Sequence, residues 1–444
     1  MNLGLEHRKD SLDFRPDEAF QSGDLAGQGQ PVIPFTGATR TNELFGEVRM
    51  PLVAHRFVEE LVAEGGYRQS WHSDGVSKFT TNSYKIGLDF SPIRGLRLRA
   101  SQQRAVRAPN IQELFAPTFP SIFDTDPCAG FSPHATQQQC AQTGVSASQY
   151  GNILANPVAE FTGYNAIVGG NPGLGPETAK TRAIGIVLQP HFLPAFNLTV
   201  DWYDINLKGA IEEIGAQAII NTCIATGDPL FCNRVHRDAN GSLWLSPAGF
   251  IDDTNANIGA LKVRGIDASA SYTRNLGRFG SANVEFIGSR LIHSVIDNGG
   301  LSTAFDCAGL YGFPCSYPQP KWRHTARLTW QQTDGLAISL NWRRVGRTKL
   351  AALNPEFGLL QDVSPLETKI ASQDYFDLTA LLSLQRRAIF RFGVRNIFDR
   401  KPPLVTSGNP ACFSAIGGCS GNTFPQLYDP LGRYVFVGVT VNWK

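Results

Sequence analysis

Long hydrophobic runs are missing from this sequence. No stretch reaches the roughly eighteen consecutive apolar residues that a membrane-spanning helix needs, so a helical anchor is excluded. Methionine is almost absent, with 2 in 444 residues, and charged residues make up only 18%. The 40 Lys and Arg nearly balance the 38 Asp and Glu, and no basic block occurs, which argues against nucleic acid as a partner. The first ten residues, MNLGLEHRKD, hold no apolar core of a secretion signal. Catalytic signatures are lacking too: no GxSxG, no HExxH, no P-loop and no GxGxxG leading into a helix. The 8 histidines are scattered without ligand spacing, so the residues point to no metal site, no cofactor and no enzyme.

What the chain does have is turns and alternation. It carries 44 Gly and 27 Pro, the punctuation of many short connections. In YVFVGVTVNW, Val435, Val437, Val439, Val441 and Trp443 fall on one side of a strand, and Phe436, Gly438, Thr440 and Asn442 on the other. LAISLNWRR sets Leu336, Ile338, Leu340 and Trp342 against Ser339, Asn341 and Arg343. LRLRAS sets Leu96, Leu98 and Ala100 against Arg97, Arg99 and Ser101. Phe390, Phe392 and Val394 likewise oppose Arg391 and Arg395. Arginine on the second face is foreign to the inside of a sandwich and fits a watery lumen. Trp202, Trp322, Trp330, Trp342 and Trp443 lie in or beside such strands, the positions of an interfacial girdle.

The pattern predicts about fourteen strands, near 2–8, 43–53, 58–72, 80–91, 95–105, 178–190, 195–208, 259–275, 281–296, 322–332, 336–348, 374–385, 387–396 and 432–443. Connections alternate between long ones (9–42, 106–177, 209–258, 297–321, 349–373, 397–431) and tight ones such as LGRFG and QTDG. Long loops on one side and short turns on the other describe an antiparallel transmembrane β-barrel with long extracellular loops. All eight cysteines fall in the long connections as close pairs, Cys128/Cys140, Cys223/Cys232, Cys307/Cys315 and Cys412/Cys419. Such pairs read as disulfides formed in an oxidising compartment, with metal binding as the weaker alternative.

Within the loops, DANGSLWL places Asn240-Gly241 for a hairpin, and GAQAIINTCIATG for a short helix clipped by Cys223 and Cys232. DDTNAN at 252–257 lacks the spacing of a calcium loop and reads as Asx turns. Glu212 and Glu213 read as solvated surface rather than as a catalytic pair.

Three stretches carry a family likeness. QQRAVRAPNIQELFAP, with Arg107, Ala108, Pro109, Asn110, Glu113, Leu114 and Phe115, resembles the strand-to-loop motif of TonB-dependent outer-membrane receptors. GNPGLGPE, with Gly170, Asn171, Pro172, Leu174, Pro176 and Glu177, resembles the stretch leading into the next strand of that family. FGVRNIFDRKPP, with Asn396, Ile397, Phe398 and Asp399, is similar to its penultimate strand, and the final alternating run resembles its closing strand. Pro109 breaks strand pairing and starts a loop, Pro172 and Pro176 stiffen the return, and Glu177 is placed to cap or to pair at the rim.

The resemblance implies a receptor in the bacterial outer membrane for TonB-energised uptake of a scarce nutrient, a siderophore, vitamin or oligosaccharide. It implies an N-terminal plug inside a 22-stranded barrel, which this chain lacks. Residues 1–444 therefore read as the C-terminal barrel portion of a receptor, without plug or signal peptide, whose partners are outer-membrane lipid, an extracellular nutrient and, through the missing plug, TonB. Arg97, Arg99, Arg343, Arg391 and Arg395 would line the lumen and bond plug or ligand, or merely hydrate the wall. Two departures stand out: the last strand has no first strand to close on, and Lys444 follows the aromatic Trp443. The rival readings are a passive porin or adhesin barrel, and a secreted β-rich protein that binds glycans.

Overall fold

The computed structural model describes residues 1–26, 31–55, 57–297, 299, 304–312, 314–333, 335–354, 368–384, 387–405 and 422–441. Fourteen strands follow one another in a single antiparallel sheet whose spatial order is their order along the chain. They are β1 (Asn2–Phe14), β2 (Phe35–Ala54), β3 (Glu60–Ser73), β4 (Lys78–Ile93), β5 (Leu96–Arg107), β6 (Glu177–Leu188) and β7 (Phe196–Glu212). The second half holds β8 (Ala256–Asn275), β9 (Ser281–Asp297), β10 (Trp322–Gln331), β11 (Leu336–Val345), β12 (Gln373–Leu384), β13 (Ala388–Arg395) and β14 (Tyr434–Val441). Trp443, Lys444, Cys412 and Cys419 lie outside the described residues.

Register shows what the alternation is for. Directly paired residues share a face, so one apolar row can be followed from strand to strand. Val439 pairs Phe390, Phe390 pairs Leu382, and Leu382 pairs Leu336. Farther along, Leu328 pairs Val284, Ala270 pairs Leu198, and Ile186 pairs Leu98. Among the described residues nothing covers this face: Val435, Val437 and Val439 are 63, 66 and 55% exposed, and Ile184 and Ile86 are 60 and 64% exposed. An apolar surface of this extent matches hydrocarbon, not water. Aromatic residues border it. Tyr67, Tyr84, Trp202, Phe286, Trp342 and Phe376 mark the loop side, and Phe90, Phe196, Tyr272 and Trp330 the turn side. The Trp330 indole donates to the Phe279 carbonyl (2.8 Å), tying the girdle to a turn.

The opposite face is polar and ion-paired. Arg99, Gly185 and Asp201 stand side by side on β5, β6 and β7. Arg99 reaches across the glycine to Asp201 with bonds of 2.8 and 2.5 Å. A Cβ at Gly185 would lie 2.0 Å from Asp201 Oδ1, so only glycine leaves the crossing open. Arg97 pairs Asp89 (2.6 Å), Arg68 pairs Glu43 (2.5 Å) and Arg343 pairs Asp377 (2.9 Å) on the same face.

The first hairpin is longer than the alternation indicates. In place of strands at 2–8 and 43–53, β1 and β2 pair from Asn2↔Glu47 to Phe14↔Phe35, and the connection 9–42 shrinks to 15–34. The apolar pattern stops near residue 8 because residues beyond it (Lys9, Asp10, Ser11, Arg40, Asn42) meet water on both faces. Backbone pairing carries that hairpin outward, with Phe14 and Phe35 in ring contact at its far end (5.6 Å).

A charge on the uncovered face should be intolerable where one on the polar face is not. Val437→Arg is expected to cost about 2–4 kcal/mol of membrane-inserted stability, the penalty for a cation at mid-bilayer depth. Thr440→Arg, one strand face over, should insert normally. The readout is the fraction of urea-resistant, heat-modifiable protein in washed membranes.

Candidate functional site

The motif residues lie at the loop-side rim, where the first two stretches interlock. Pro109 ends β5, and the short helix Ile111–Phe115 follows, closed by a reciprocal cap: Glu113 N–H donates to Asn110 Oδ1 and Asn110 N–H to the Glu113 carboxylate, both 2.8 Å. Arg107 holds this helix with a fork of bonds to Glu113 (2.9 and 3.0 Å) and donates to Glu177 at 2.7 Å. Glu177 accepts in turn from the Ile211 amide (2.8 Å), so one guanidinium links β5, β6 and β7. The second motif interlocks with the first. Gly170 N–H donates to the Ala116 carbonyl (3.1 Å) and Asn171 N–H to that of Glu113 (2.8 Å). A Cβ on Gly170 would lie 2.8 Å from the Ala116 backbone. Asn171 also donates to the Asn255 carbonyl (2.9 Å), drawing in the DDTNAN stretch, where the Thr254 amide and hydroxyl both bond Asp252 in an Asx turn.

Leu114 is buried, and Phe115 lies against β2, where a Cβ on Gly37 would come within 2.5 Å of its ring. The helix thus folds over the polar face of β1 and β2. Beneath it is a cavity of about 570 Å³ lined by Arg8, Glu43, Arg68, His72, Asp74 and Phe79, among others. Pro172 presents its carbonyl to Ser77 (3.4 Å), and Pro176 stands directly before the first residue of β6.

The third motif builds a separate clamp at β11–β14. Asn396 is fully buried in left-handed backbone (φ 49°), where asparagine is tolerated. Its side chain makes two bonds to the Arg400 backbone (2.9 and 2.8 Å), and its own amide donates to Asp377 (2.9 Å). Asp377 also takes Arg343, which lies 3.6 Å from Asp429. Asp399 accepts from the Arg433 amide (2.8 Å), and Phe398 is exposed with its ring edge against Phe376 (5.5 Å). Arg97, Arg99 and Arg343 are therefore occupied by wall carboxylates, whereas Arg391 and Arg395 have no ion pair among the described residues.

Above the rim the two longest connections form one stapled cap. Phe119–Phe123, Tyr164–Val168, Phe250–Asp252 and Val235–His236 make a four-stranded sheet, with Tyr164–Val168 parallel to Phe250–Asp252. The helix Ala216–Thr226 packs Ile219 and Ile220 into its core, and disulfides join Cys128–Cys140 and Cys223–Cys232. A third, Cys307–Cys315, staples the next loop. The expected hairpin at Asn240-Gly241 is a turn instead. The Asp238 carboxylate captures the amides of Asn240 and Ser242 (2.9 and 2.8 Å), and Val235–His236 pairs across a wider gap with Phe250–Ile251. Glu212 is half-buried at the end of β7, and Glu213 is exposed.

Sequence reasoning passes over the cap's central ion pair. Arg237 and Asp126 are 3 and 0% exposed, joined by two bonds of 2.7 and 2.9 Å, and Arg237 also donates to Thr143 and the Gly241 carbonyl. The only sequence hint is that Asp126 sits two residues before Cys128. Asp253 is buried at the start of the Ala216–Thr226 helix, accepting from the Ile214 and Gly215 amides (3.0 and 2.9 Å). Burial pushes its carboxyl up to about 6, with Glu213 adding to the rise and the two amides opposing it. Among the described residues no cluster of three or more His, Cys, Asp or Glu is arranged to hold a metal ion.

Two outcomes follow for the cap. Arg237→Met should destabilise it by about 3–5 kcal/mol, because Asp126 is left buried and unpaired, and the double change with Asp126→Leu should recover most of that. Limited proteolysis across residues 117–256 reads both. The raised Asp253 value means that the folded cap binds this proton more tightly than the unfolded chain, whose value is 3.8. Its contribution is full below about pH 4 and is lost as the pH rises through about 6. Amide-exchange protection of Ile214 and Gly215 should fall over that window in the native protein, and the fall should flatten in Asp253→Asn.

Solved structures share this architecture. The ferric enterobactin receptor of Pseudomonas aeruginosa, as a variant in complex with enterobactin, is similar with a TM-score of 0.63 at 18% identity, covering 99% of this chain and 51% of its own. A siderophore receptor of Acinetobacter baumannii gives 0.52 at 13% identity, covering 98% and 59%. Both show the same fold, and this chain spans about half the length of the first of them. No curated protein matches the chain. The family described as "TonB dependent receptor-like, beta-barrel" matches residues 2–397, nearly the whole sheet and its cap. By that match the chain belongs to the TonB-dependent receptor β-barrel family.

Proposed function

We propose that this chain is the barrel portion of an outer-membrane receptor that takes up a scarce nutrient with energy delivered by TonB through a plug, and that the nutrient is a ferric siderophore. One observation carries the transport reading: a single sheet shows an uncovered apolar face bordered by aromatics and, on its back, an ion-paired polar wall beneath a disulfide-stapled cap. A lipid-facing outside and a hydrated inside are what a conduit needs. Family membership argues against the secreted glycan-binding alternative, since the family's barrels sit in the outer membrane. The siderophore assignment leans on the solved receptors with this fold, a ferric enterobactin receptor and a siderophore receptor. Cobalamin and oligosaccharides are the competing cargoes. No covalent chemistry is required of any residue: the cap would admit and bind the nutrient, and the polar wall would hold the plug or wet the path.

Deleting the gene and restoring its full product tests the reading in one host. Growth under iron chelation should depend on the gene when a ferric catecholate or hydroxamate is the only iron source, and should vanish in a TonB-deficient background. Growth that persists without TonB would identify a passive pore. Dependence on cobalamin or an oligosaccharide instead would move the cargo and leave the transport reading intact.

A further inference from the structure

The polar wall does not treat its cations evenly. On β1–β5 each inward-facing cation has a carboxylate. Arg8 takes Asp10, Arg49 and Lys85 share Glu64, and Arg68 takes Glu43. Arg97 takes Asp89, Arg99 takes Asp201, and Arg107 holds Glu113 and Glu177. On β10–β14 the balance changes. Register puts Arg323 and Arg327 on the inward face of β10, Arg343 on that of β11, and Arg391 and Arg395 on that of β13. The inward carboxylate of these strands is Asp377, and Arg343 takes it. Glu285 of β9 stands opposite Arg327 in the pairing, but the two make no ion pair. Among the described residues, Arg323, Arg327, Arg391 and Arg395 are thus exposed cations without a salt bridge.

The four stand in two columns. Arg323 and Arg395 lie near the loop ends of their strands, and Arg327 and Arg391 four residues deeper, about 13 Å at the usual rise of a strand. The wall beside Arg391 is hollow. Arg391 pairs directly with Gly438, where a Cβ would meet nothing within 4 Å except the arginine's own Cβ. Two residues nearer the loops the matching space is filled, because the Phe436 ring lies over Gly393. Like charges left uncompensated along one wall repel one another. An anion moving down that wall would meet a succession of attractions, each weak enough in a hydrated lumen to release it again.

We propose that Arg323, Arg395, Arg327 and Arg391 form a track on the inner wall that favours an anionic cargo during its passage, so that discrimination by charge takes place below the cap. The inference rests on the transport reading. It narrows the cargo to ferric complexes of net negative charge, with catecholate or carboxylate ligands, over uncharged hydroxamates and cobalamin.

Uptake of radiolabelled iron by cells carrying the gene's full product tests it. The probes are a trianionic ferric tris-catecholate, an anionic ferric citrate complex and an uncharged ferric trihydroxamate. Wild type should take up an anionic complex faster than the uncharged one. Arg391→Gln with Arg395→Gln should slow energised uptake of that anion roughly tenfold, while its binding to TonB-deficient cells, which stops at the cap, stays at the wild-type level. Arg391→Lys with Arg395→Lys should keep most of the uptake. Neither arginine has an ion pair to lose, so the glutamine variant should reach the outer membrane in wild-type amount. Faster wild-type uptake of the uncharged complex, or undiminished uptake in the glutamine variant, overturns the track. Equal slowing of anionic and uncharged complexes also overturns it and makes these arginines a docking face for the plug. Uptake of none of the three complexes would instead overturn the siderophore reading itself.

Discussion

In hydrocarbon a backbone amide or carbonyl has nothing to bond except another strand, and each one left unpaired costs several kcal/mol. Most of what is seen here follows from that requirement. The sheet runs in chain order, because antiparallel neighbours joined by tight turns pair every group with the least chain. The ladder has a second consequence, which is to decouple side chains from stability of the fold in the ordinary sense. With no core between layers, the two faces are free to answer two solvents, and period-two alternation lets one strand do both. The polar wall then meets its own needs by pairing across neighbours, as Arg99 does over Gly185 to Asp201.

At the rim the ladder ends and side chains take over its work. Arg107 and Glu177, the last backbone pair of β5 and β6, also join through their side chains and reach β7 at the Ile211 amide, and Asp377 links β11, β12 and the turn at Asn396. Each of these motifs closes a short circuit of hydrogen bonds that depends on the shape of its residues. The first of them holds the helix Ile111–Phe115 over the polar face, where Phe115 meets Gly37.

How much could be read from residues alone depended on range. The fourteen strands and their faces were legible, since period two survives wherever one side is apolar; Val435 to Val441 is the plainest case. Where both sides meet water, as at Lys9 and Arg40, the signal faded although pairing continued. Local chemistry misled at Asn240-Gly241, where the Asp238 carboxylate outcompeted a hairpin for the nearby amides. The face of Arg99 was readable but its partner 102 residues away was not. The cap sheet was invisible for the same reason, because Tyr164–Val168 and Phe250–Asp252 come from different connections and carry no mutual mark.

The disulfides bear on how such a chain can be made. The bridges in the described residues span 12, 9 and 8 positions, and each begins and ends inside one connection. None ties one loop to another, and none straddles a strand of the main sheet. A thiol pair so close in sequence meets its partner without help from the sheet, so oxidation can finish while the strands are still unpaired. The resulting rings are small enough to leave strand order unconstrained. Covalent closure and barrel assembly are thus separable events, and an error in one need not trap the other.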